Sequence, residues 1–305
     1  MIRRLKYHEI DFKKYAECLE NSEQRKYSAT KDFLDITSGK QWEILVYNDY
    51  EAVMPVPFVK KYGLKIVHNP RLCQQLGVFS SEDHTEINEE FLNYLKDNYL
   101  IRIYTFNDAN RFISSIAVKN NFLIYPDLYE KVYAKYSPKR KRKLRLDEET
   151  LQNSEIKEIT YKEAESFIKT NFIGAENEAD KLSFMKIFES FFNMNYLTFS
   201  AFYYRSEIIN IIVTFADKQS IALLGTFNHK EYVKLSGASV LIDRAIKENI
   251  GTHIFDFEGG SLPNIEEFFR GFRPELKPYP IIECSKKDLF RKLLKLIING
   301  KFFKK

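Results

Sequence analysis

Carboxylates, a glycine pair and an arginine occur close together near the end of the chain. Asp256 and Glu258 alternate with phenylalanines over residues 253–258, so a strand there would place both carboxylates on one face. The glycine pair at 259–260 then allows a tight turn into a predicted helix that carries Arg270. A carboxylate at such a strand end can accept a proton in catalysis, although a core strand with a packing helix would give the same pattern.

A run of cations marks the middle of the chain. Six of the seven residues over 139–145 are Lys or Arg, and Ser137 with Pro138 predicts the helix N-terminus before them. Clustered like charge is unfavourable without an anion, so Arg140, Arg142 and their neighbours are candidates for binding a phosphate, an acidic lipid or a nucleic acid. A solvated helix face is the alternative.

A pair of glutamines lies in an otherwise apolar segment of the first half. Gln74 and Gln75 carry four polar ends that need hydrogen-bond partners when they are buried. Their amides would either tie down a loop or reach a ligand, which makes them candidate substrate-binding residues.

Composition excludes several classes of protein. The chain has 305 residues, of which 44% are hydrophobic, enough for two domains. Only 11 residues are glycine, and neither a dinucleotide-binding nor a P-loop motif is present. The three cysteines and five histidines are scattered, so we expect free thiols in a reducing cytoplasm and no metal site. We also expect no signal peptide and no transmembrane helix.

The order of predicted elements repeats once along the chain. Each half reads as helix, antiparallel strands, helix and strand, which predicts an α+β fold with helices on the faces of a sheet. We place the domains at 1–135 and 136–305, the second beginning with the basic helix. The tail over 288–303 predicts a cationic amphipathic helix that either docks onto the body or makes peripheral membrane contact.

Segments in both halves resemble one known family. The strings Tyr50-Glu-Ala-Val-Met-Pro and Pro70-Arg-Leu-Cys-Gln-Gln-Leu-Gly-Val-Phe, and later Asp256-Phe-Glu-Gly-Gly, are similar to segments of Fem-like acyltransferases. These are tandem members of the GNAT N-acyltransferase superfamily, and the likeness is to a bacterial group described only as GNAT-like. The resemblance implies two tandem GNAT-like domains, each a mostly antiparallel mixed sheet flanked by helices.

The resemblance also implies a donor site. GNAT proteins bind the pyrophosphate of acyl-CoA, such as acetyl-CoA, at the start of the helix after their fourth strand, and the peptidoglycan ligases use aminoacyl-tRNA. Helix N-termini suit anions because they carry free N–H groups. The positions that match here are Lys234, Ser236, Gly237, Ala238 and Ser239. The segment departs from the acetyltransferase pattern, because it has one glycine and a serine at the second small position.

Catalytic roles follow from the same resemblance. Acyl transfer to an amine needs a base, a polariser of the carbonyl and an acid. Asp256 and Glu258 would act as the base, and Arg270 aligns with the Lys or Arg of the family segment Phe-(Lys/Arg)-x-Phe-Gly, where it could hold a phosphate or the oxyanion. Tyr279 or Tyr232 could donate the proton. The glycine that ends that family segment is Arg273 in this chain.

The sequence thus favours an N-acyltransferase that moves an acyl or aminoacyl group to an amine on a small molecule or a cell-envelope precursor. One alternative is a catalytically degenerate tandem GNAT protein that holds an anionic ligand through Arg140, Arg142 and the helix start at Gly237. Another is nucleic-acid binding, including tRNA, through residues 139–145.

Overall fold

The structure, a computed structural model, describes residues 1–61, 63–260 and 262–298. Its contacts divide the chain into two compact units: Met1–Lys119 joined by the stretch from Pro278 onward, and Asn120–Lys277. The boundary expected between 135 and 136 differs from this division. It differs because a strand just after Asn120 pairs within the second unit, and a strand after Pro278 pairs within the first.

Strands are numbered in chain order. They are β1 (Ile2–Leu5), β2 (Trp42–Tyr47), β3 (Ala52–Lys61), β4 (Leu64–Val67), β5 (Phe79–Ser80), β6 (Leu100–Ile101), β7 (Ile103–Thr105), β8 (Ala117–Lys119), β9 (Phe122–Ile124), β10 (Ser154–Ile159), β11 (Leu197–Tyr204), β12 (Glu207–Ala216), β13 (Ser220–Asn228), β14 (Ile254–Asp256), β15 (Glu275–Leu276) and β16 (Tyr279–Glu283).

The helices are α1 (Phe12–Glu20), α2 (Lys31–Ser38), α3 (Thr85–Asn98), α4 (Tyr129–Lys135), α5 (Pro138–Leu144), α6 (Glu148–Gln152), α7 (Tyr161–Asn171), α8 (Glu178–Asn193), α9 (Gly237–Asn249), α10 (Pro263–Arg270) and α11 (Lys286–Ile298). Short 3-10 turns span Tyr7–Glu9, Tyr27–Ala29 and Lys230–Leu235. The C-terminal helix was expected over 288–303, and the part of that expectation beyond Ile298 lies outside the described residues. No helix in the described ranges is long and apolar enough to cross a lipid bilayer.

The first unit contains two sheets. One has the strand order β1-β2-β3-β4-β6, with β5 paired to β3, and the other has the order β7-β16-β8. Its core is built around Trp42, which is 1% exposed and is surrounded by the rings of Tyr7, Phe12 and Tyr15. The pairing of β16 with β7 and β8 explains why the end of the chain belongs to this unit.

The second unit has one sheet in the order β10-β11-β12-β13-β14-β9-β15. Neighbouring strands pair antiparallel except β13 and β14, which run parallel. Helix α9 packs on β11, β12, β13 and β14, and α7 packs on β11, β12 and β13. The predicted α+β class, with mostly antiparallel mixed sheets flanked by helices, is therefore confirmed.

The two parallel strands of the second unit separate after a short pairing. They pair only from Ser220 to Ala222, opposite Ile254 to Asp256. Strand β14 ends there, while β13 continues to Asn228 with a bulge at Leu224, where its register to β12 shifts. The remaining edge of β13 therefore faces no strand within the described residues, and its backbone groups on that side are available for a ligand.

Helix α9 begins over the far end of β13. A Cβ added to Gly237 would lie 1.9 Å from Oδ1 of Asn210, a residue of β12 that pairs with Asn228 and donates to its side chain at 2.8 Å. Ser236, just before the helix, has a left-handed backbone with φ 62°. The close packing of Gly237 therefore fixes the start of α9 at the end of β13 that β14 does not reach.

We expect Gly237→Ala to lower the free energy of unfolding by about 1–3 kcal/mol, because the new methyl group would overlap the buried Asn210 amide. Gly251→Ala is the matched control: a Cβ there meets no atom within 4 Å, so its effect should stay within about 0.5 kcal/mol. Urea unfolding monitored by circular dichroism measures both. Equal stability of the two variants would show that Gly237 is not held by this packing.

Candidate functional site

A pocket of about 440 Å³ in the second unit lies between two features that the sequence analysis singled out. The basic helix α5 and its C-terminal loop form one wall, and the 3-10 turn that leads into α9 forms the other. Its lining residues are Arg142, Lys143, Arg145, Leu146, Asp147, Thr150, Val233, Lys234, Leu235 and Ser236. Three predicted site residues, Arg142, Lys234 and Ser236, thus share one pocket, which we call the anion pocket.

The anion pocket has a strong excess of positive charge. Four of its lining residues are cations, namely Arg142, Lys143, Arg145 and Lys234. They face one carboxylate, Asp147, whose pKa is lowered by hydrogen bonds from the backbone and side chain of Thr150. Asp147 therefore stays ionised, but its single charge offsets only part of the charge of the four cations. The pocket therefore suits an anion with several oxygens, such as a phosphate.

The start of α9 adds backbone donors at the rim of the anion pocket. The N–H groups of Ser239 and Val240 both turn back to the carbonyl of Ser236, at 2.8 and 3.2 Å. The N–H groups of Gly237 and Ala238 precede these bonds and are the ones that an anion beside Ser236 would meet. The helix has 13 residues, so its dipole also favours a negative charge at this end.

Arg140 points away from the anion pocket, into the protein. Its residue is 4% exposed, and its guanidinium lies 4.2 Å from the ring centroids of both Phe268 and Phe272. It donates to the hydroxyl of Ser239 in α9 and, at 2.6 Å, to the carbonyl of Phe268 in α10. A Cβ on Gly271 would lie 3.0 Å from the guanidinium nitrogens. Arg140 therefore clamps α5, α9 and α10 together.

The charge of Arg140 is balanced inside the same unit. Burial lowers the pKa of Arg140 to about 10, and the attraction of Asp243 opposes that shift. Burial also raises the pKa of Asp243, whose two carboxylate oxygens accept from the hydroxyl of Tyr129 at 2.9 Å. Arg140 and Ser239 bind each other, while Nε of Arg140 is buried without a hydrogen-bond partner among the described residues. The predicted ligand contacts of both side chains stay predictions.

The carboxylate at the end of β14 is part of a buried network. Asp256, 4% exposed, accepts hydrogen bonds from the amide of Asn121 and from the backbone N–H of Glu258, each at 2.9 Å. The Asn121 amide oxygen accepts in turn from the N–H of Gly259 at 3.0 Å. These bonds hold the turn that follows the strand. The geometry favours Asp256 as the residue that fixes the turn rather than as the one that meets a substrate.

Glu258, the second candidate base, lies beyond the end of strand β14. Because β14 ends at Asp256 and Glu258 has a left-handed backbone with φ 52°, the expected alternation of carboxylates on one face does not reach Glu258. Glu258 is half-buried. A left-handed glutamate is uncommon and costs conformational energy, and the hydrogen bond from its N–H to Asp256 helps to hold it in this conformation.

Arg270 lies close to the same turn. Its guanidinium is 5.1 Å from the centroid of the Phe122 ring, and a Cβ on Gly260 would meet that ring at 2.4 Å. Arg270 is half-exposed and pairs with Glu266 at 2.6 Å, one helical turn away. The structure thus brings the glycine turn and Arg270 to one aromatic ring, and the role of Arg270 in holding a phosphate or the oxyanion stays a prediction.

Of the remaining predicted residues, three belong to the first unit and Tyr232 belongs to the second. Gln74, Gln75 and Tyr279 belong to the first unit. Gln75 is 2% exposed and donates to the Gln74 side chain at 2.9 Å, while its own oxygen accepts from the N–H of Asp108 at 2.9 Å. Tyr279 is buried in β16. Tyr232, the other tyrosine considered, lies in the 3-10 turn beside Tyr204 and His229.

Sequence reasoning missed several residues of the site. The sequence around Asn121 shows only an Asn-Asn pair, typical of a turn, before a strand. No local pattern predicts its hydrogen bond to Asp256, which is distant in sequence. Lys143 and Arg145 were part of the basic run, but their side of the helix was not predicted. The helical period separates Arg142 from Arg140, but it places Lys143 close to the face of Arg140, and Arg145 follows the end of α5. No cluster of potential metal ligands occurs among the described residues.

Solved structures of very different sequence share this fold. FemX matches with a TM-score of 0.64 at 8% identity, covering 91% of this chain and 96% of its own. A conserved protein of unknown function from Bacteroides thetaiotaomicron VPI-5482 gives 0.58 at 10% identity, covering 92% and 99%. A tandem GNAT protein from the clavulanic acid biosynthesis pathway, solved without AcCoA, gives 0.51 at 8% identity, covering 92% and 97%.

No protein-family model matches the chain, and no curated protein matches its sequence. At 8–10% identity the likeness to solved structures is one of fold. The class is therefore that of the tandem GNAT fold, and FemX is one of the structures that share it with this chain. The resemblance to Fem-like proteins that the motifs predicted is confirmed at this level.

The same substitution at two arginines that lie two residues apart in α5 should change stability by very different amounts. We expect Arg140→Met to lower the free energy of unfolding by about 2–4 kcal/mol, because Ser239 and the carbonyl of Phe268 lose a buried partner. Arg142→Met changes an exposed side chain and should stay within about 0.5 kcal/mol. Chemical denaturation of both variants measures this. Similar losses for the two would rule out the clamp.

Proposed function

We propose that the protein is an N-acyltransferase that moves an acyl or aminoacyl group from a phosphate-bearing donor to an amine. The observation that carries this proposal is the anion pocket, where the cations of α5 meet the start of α9 at the open end of β13. An acyl donor such as acyl-CoA or aminoacyl-tRNA has phosphates at one end and a reactive carbonyl at the other. The anion pocket suits the phosphates of such a donor, and the gap between the separated strands suits its reactive carbonyl.

The open edge of β13 supports a role in binding the donor's carbonyl end. Beyond Ala222 the strand has lost its parallel neighbour, and Leu224 is the extra residue of a bulge. Such a bulge turns a backbone N–H out of the ladder, and an N–H aimed at a carbonyl oxygen stabilises the oxyanion that forms on attack. An amide-containing donor chain would pair with the same edge as an added strand.

Deprotonation of the acceptor amine would fall to Glu258. It follows directly after the strand beside β13, and its backbone is held by Asp256 through a hydrogen bond of 2.9 Å. Asp256 is buried and acts as the positioning residue of the turn. Arg270, which lies on the Phe122 ring beside the turn, would bind an anionic part of the substrate.

The anion pocket fits phosphates of either donor, acyl-CoA or aminoacyl-tRNA, since both present a phosphate chain to basic side chains. The acceptor would be a small molecule or a cell-envelope precursor that carries a primary amine. This choice rests on the resemblance of the sequence motifs to Fem-like acyltransferases. The two donors are distinguished by experiment with the purified protein, using acetyl-CoA, other acyl-CoA thioesters and charged tRNA.

Substitutions in the anion pocket should weaken donor binding. We expect Arg142→Gln and Lys234→Gln each to lower affinity for the donor that binds by about tenfold or more, because each removes a charge-assisted contact to phosphate. Each should also reduce the slope of log affinity against log salt by about 1 if the donor is RNA. Isothermal titration calorimetry with CoA and with uncharged tRNA measures both quantities.

Lys139→Gln is the matched control for these variants. Lys139 belongs to the same helix but pairs with Glu267 at 2.9 Å and does not line the pocket. Affinity of this variant should remain within about twofold of wild type, the effect of an exposed ion pair. If it falls as much as in the pocket variants, binding follows the net charge of the helix. The anion pocket would then not be the donor site.

Glu258→Gln should slow acyl transfer by a factor of about 10² to 10⁴ while leaving donor affinity unchanged, because it removes the proton acceptor and keeps the shape of the side chain. Release of the CoA thiol, or loss of the aminoacyl ester from tRNA, measures the rate in the presence of a panel of amines. A rate equal to wild type would exclude Glu258 as the base. Donor binding without transfer to any amine would instead favour a binding protein with a degenerate acyltransferase fold.

A further inference from the structure

Helix α11 uses one of its faces to dock onto the first unit. Leu289 and Leu293 are half-buried, and the ammonium of Lys292 donates to the backbone carbonyl of Lys96 at the end of α3. Burial lowers the pKa of Lys292, which agrees with its position against the body. Docking onto the body, one of the two alternatives from the sequence, is therefore made by this face of the helix.

The opposite face of α11 is apolar, cationic and exposed. Phe290 is 61% exposed and Leu294 is 44% exposed. Lys286, Lys287 and Arg291 are exposed as well. At 3.6 residues per turn these five side chains fall within roughly 140° of the helix circumference. The two apolar side chains lie one turn apart on that arc, with cations on both sides of them, and we call this arc the outer face of α11.

Acidic residues are absent from the outer face of α11 within the described residues. Asp288 lies toward the other side of the helix, where its carboxylate accepts from the backbone N–H and hydroxyl of Ser285 and so caps the first turn. Its distance of 3.8 Å from Arg291 leaves that guanidinium free to make shorter contacts. The outer face thus combines a net positive charge with two large apolar side chains that nothing in the described part of the first unit covers.

We infer that the outer face of α11 binds the surface of an anionic lipid bilayer. A bilayer supplies a partner for both kinds of side chain on this face: hydrocarbon for the apolar side chains, and lipid phosphates for the cations around them. A soluble polyanion would satisfy the cations only. A second copy of the chain would bring the same cations against each other in a two-fold contact, which repulsion disfavours. The proposal goes beyond acyl transfer and does not depend on it.

The test is flotation of the full chain with vesicles of phosphatidylcholine alone or mixed with phosphatidylglycerol. The wild type should float with the anionic vesicles and lose binding at high salt. Phe290→Ser combined with Leu294→Ser should reduce the partition coefficient about tenfold or more. Lys287→Gln combined with Arg291→Gln should reduce it to a similar extent, because each cation near the surface contributes about fivefold.

Two control variants make the result specific. Ile113→Ser combined with Val118→Ser removes two other exposed apolar side chains of the same unit, 69% and 59% exposed, and should bind vesicles as wild type does. Arg142→Gln combined with Lys234→Gln removes charge from the anion pocket and should also leave flotation unchanged. Loss of binding in either control, or equal binding to uncharged vesicles, would overturn the inference for α11.

The remaining outcomes are also decisive. If Phe290→Ser with Leu294→Ser abolishes a dimer seen by sedimentation velocity and leaves flotation intact, the outer face binds a second copy and not lipid. If vesicle binding behaves as expected while no acyl donor binds, the proposed function fails and the lipid surface stands. If donors bind and vesicles do not, the reverse holds.

Discussion

One buried cation determines how the second unit presents its site. The guanidinium of Arg140 is removed from water, and a charge in that position is stable only while its hydrogen bonds are made. Its partners belong to α9, through Ser239, and to α10, through Phe268, and its own backbone N–H caps α5 on Ser137. A shift of any of these helices would leave the charge without a partner. The three helices are therefore restricted to one arrangement.

The arrangement of these three helices places the cations of α5 along the wall of the anion pocket. On a helix, residues two positions apart point in nearly opposite directions, so the inward position of Arg140 directs Arg142 outward, and Lys143 is exposed as well. The bond from Arg140 to Ser239 sets the start of α9 beside them, with Lys234 on the preceding turn. The sequence predicted both the basic helix and the helix start. One alternative from the sequence placed both at a single anionic ligand, but it used Arg140 for this, because the sequence does not show which cation of the run is buried.

The fold was more predictable than the site, and for a physical reason. The strands of the second unit follow from apolar runs of the right length, and α9 follows from its period, so the α+β class could be read from local pattern. Strand β9 shows the limit, because its pairing with β14 and β15 joins segments more than a hundred residues apart. The network of Asn121 and Asp256 depends on that same pairing. No local pattern contains it, and only the folded sheet distinguishes a positioning carboxylate from a candidate base.

Two departures from the resembled patterns, one from the acetyltransferase helix start and one from the Fem-like segment, have structural explanations. Ser239 stands where a second small residue is expected, and its hydroxyl is the group that Arg140 binds. Arg273 stands where the family segment has glycine, yet its backbone has φ 56°, the left-handed conformation that a glycine would adopt easily. The chain accepts a cost of about 1–2 kcal/mol there and keeps the backbone path. Each of the two residues therefore has a place in the structure that the family patterns alone did not indicate.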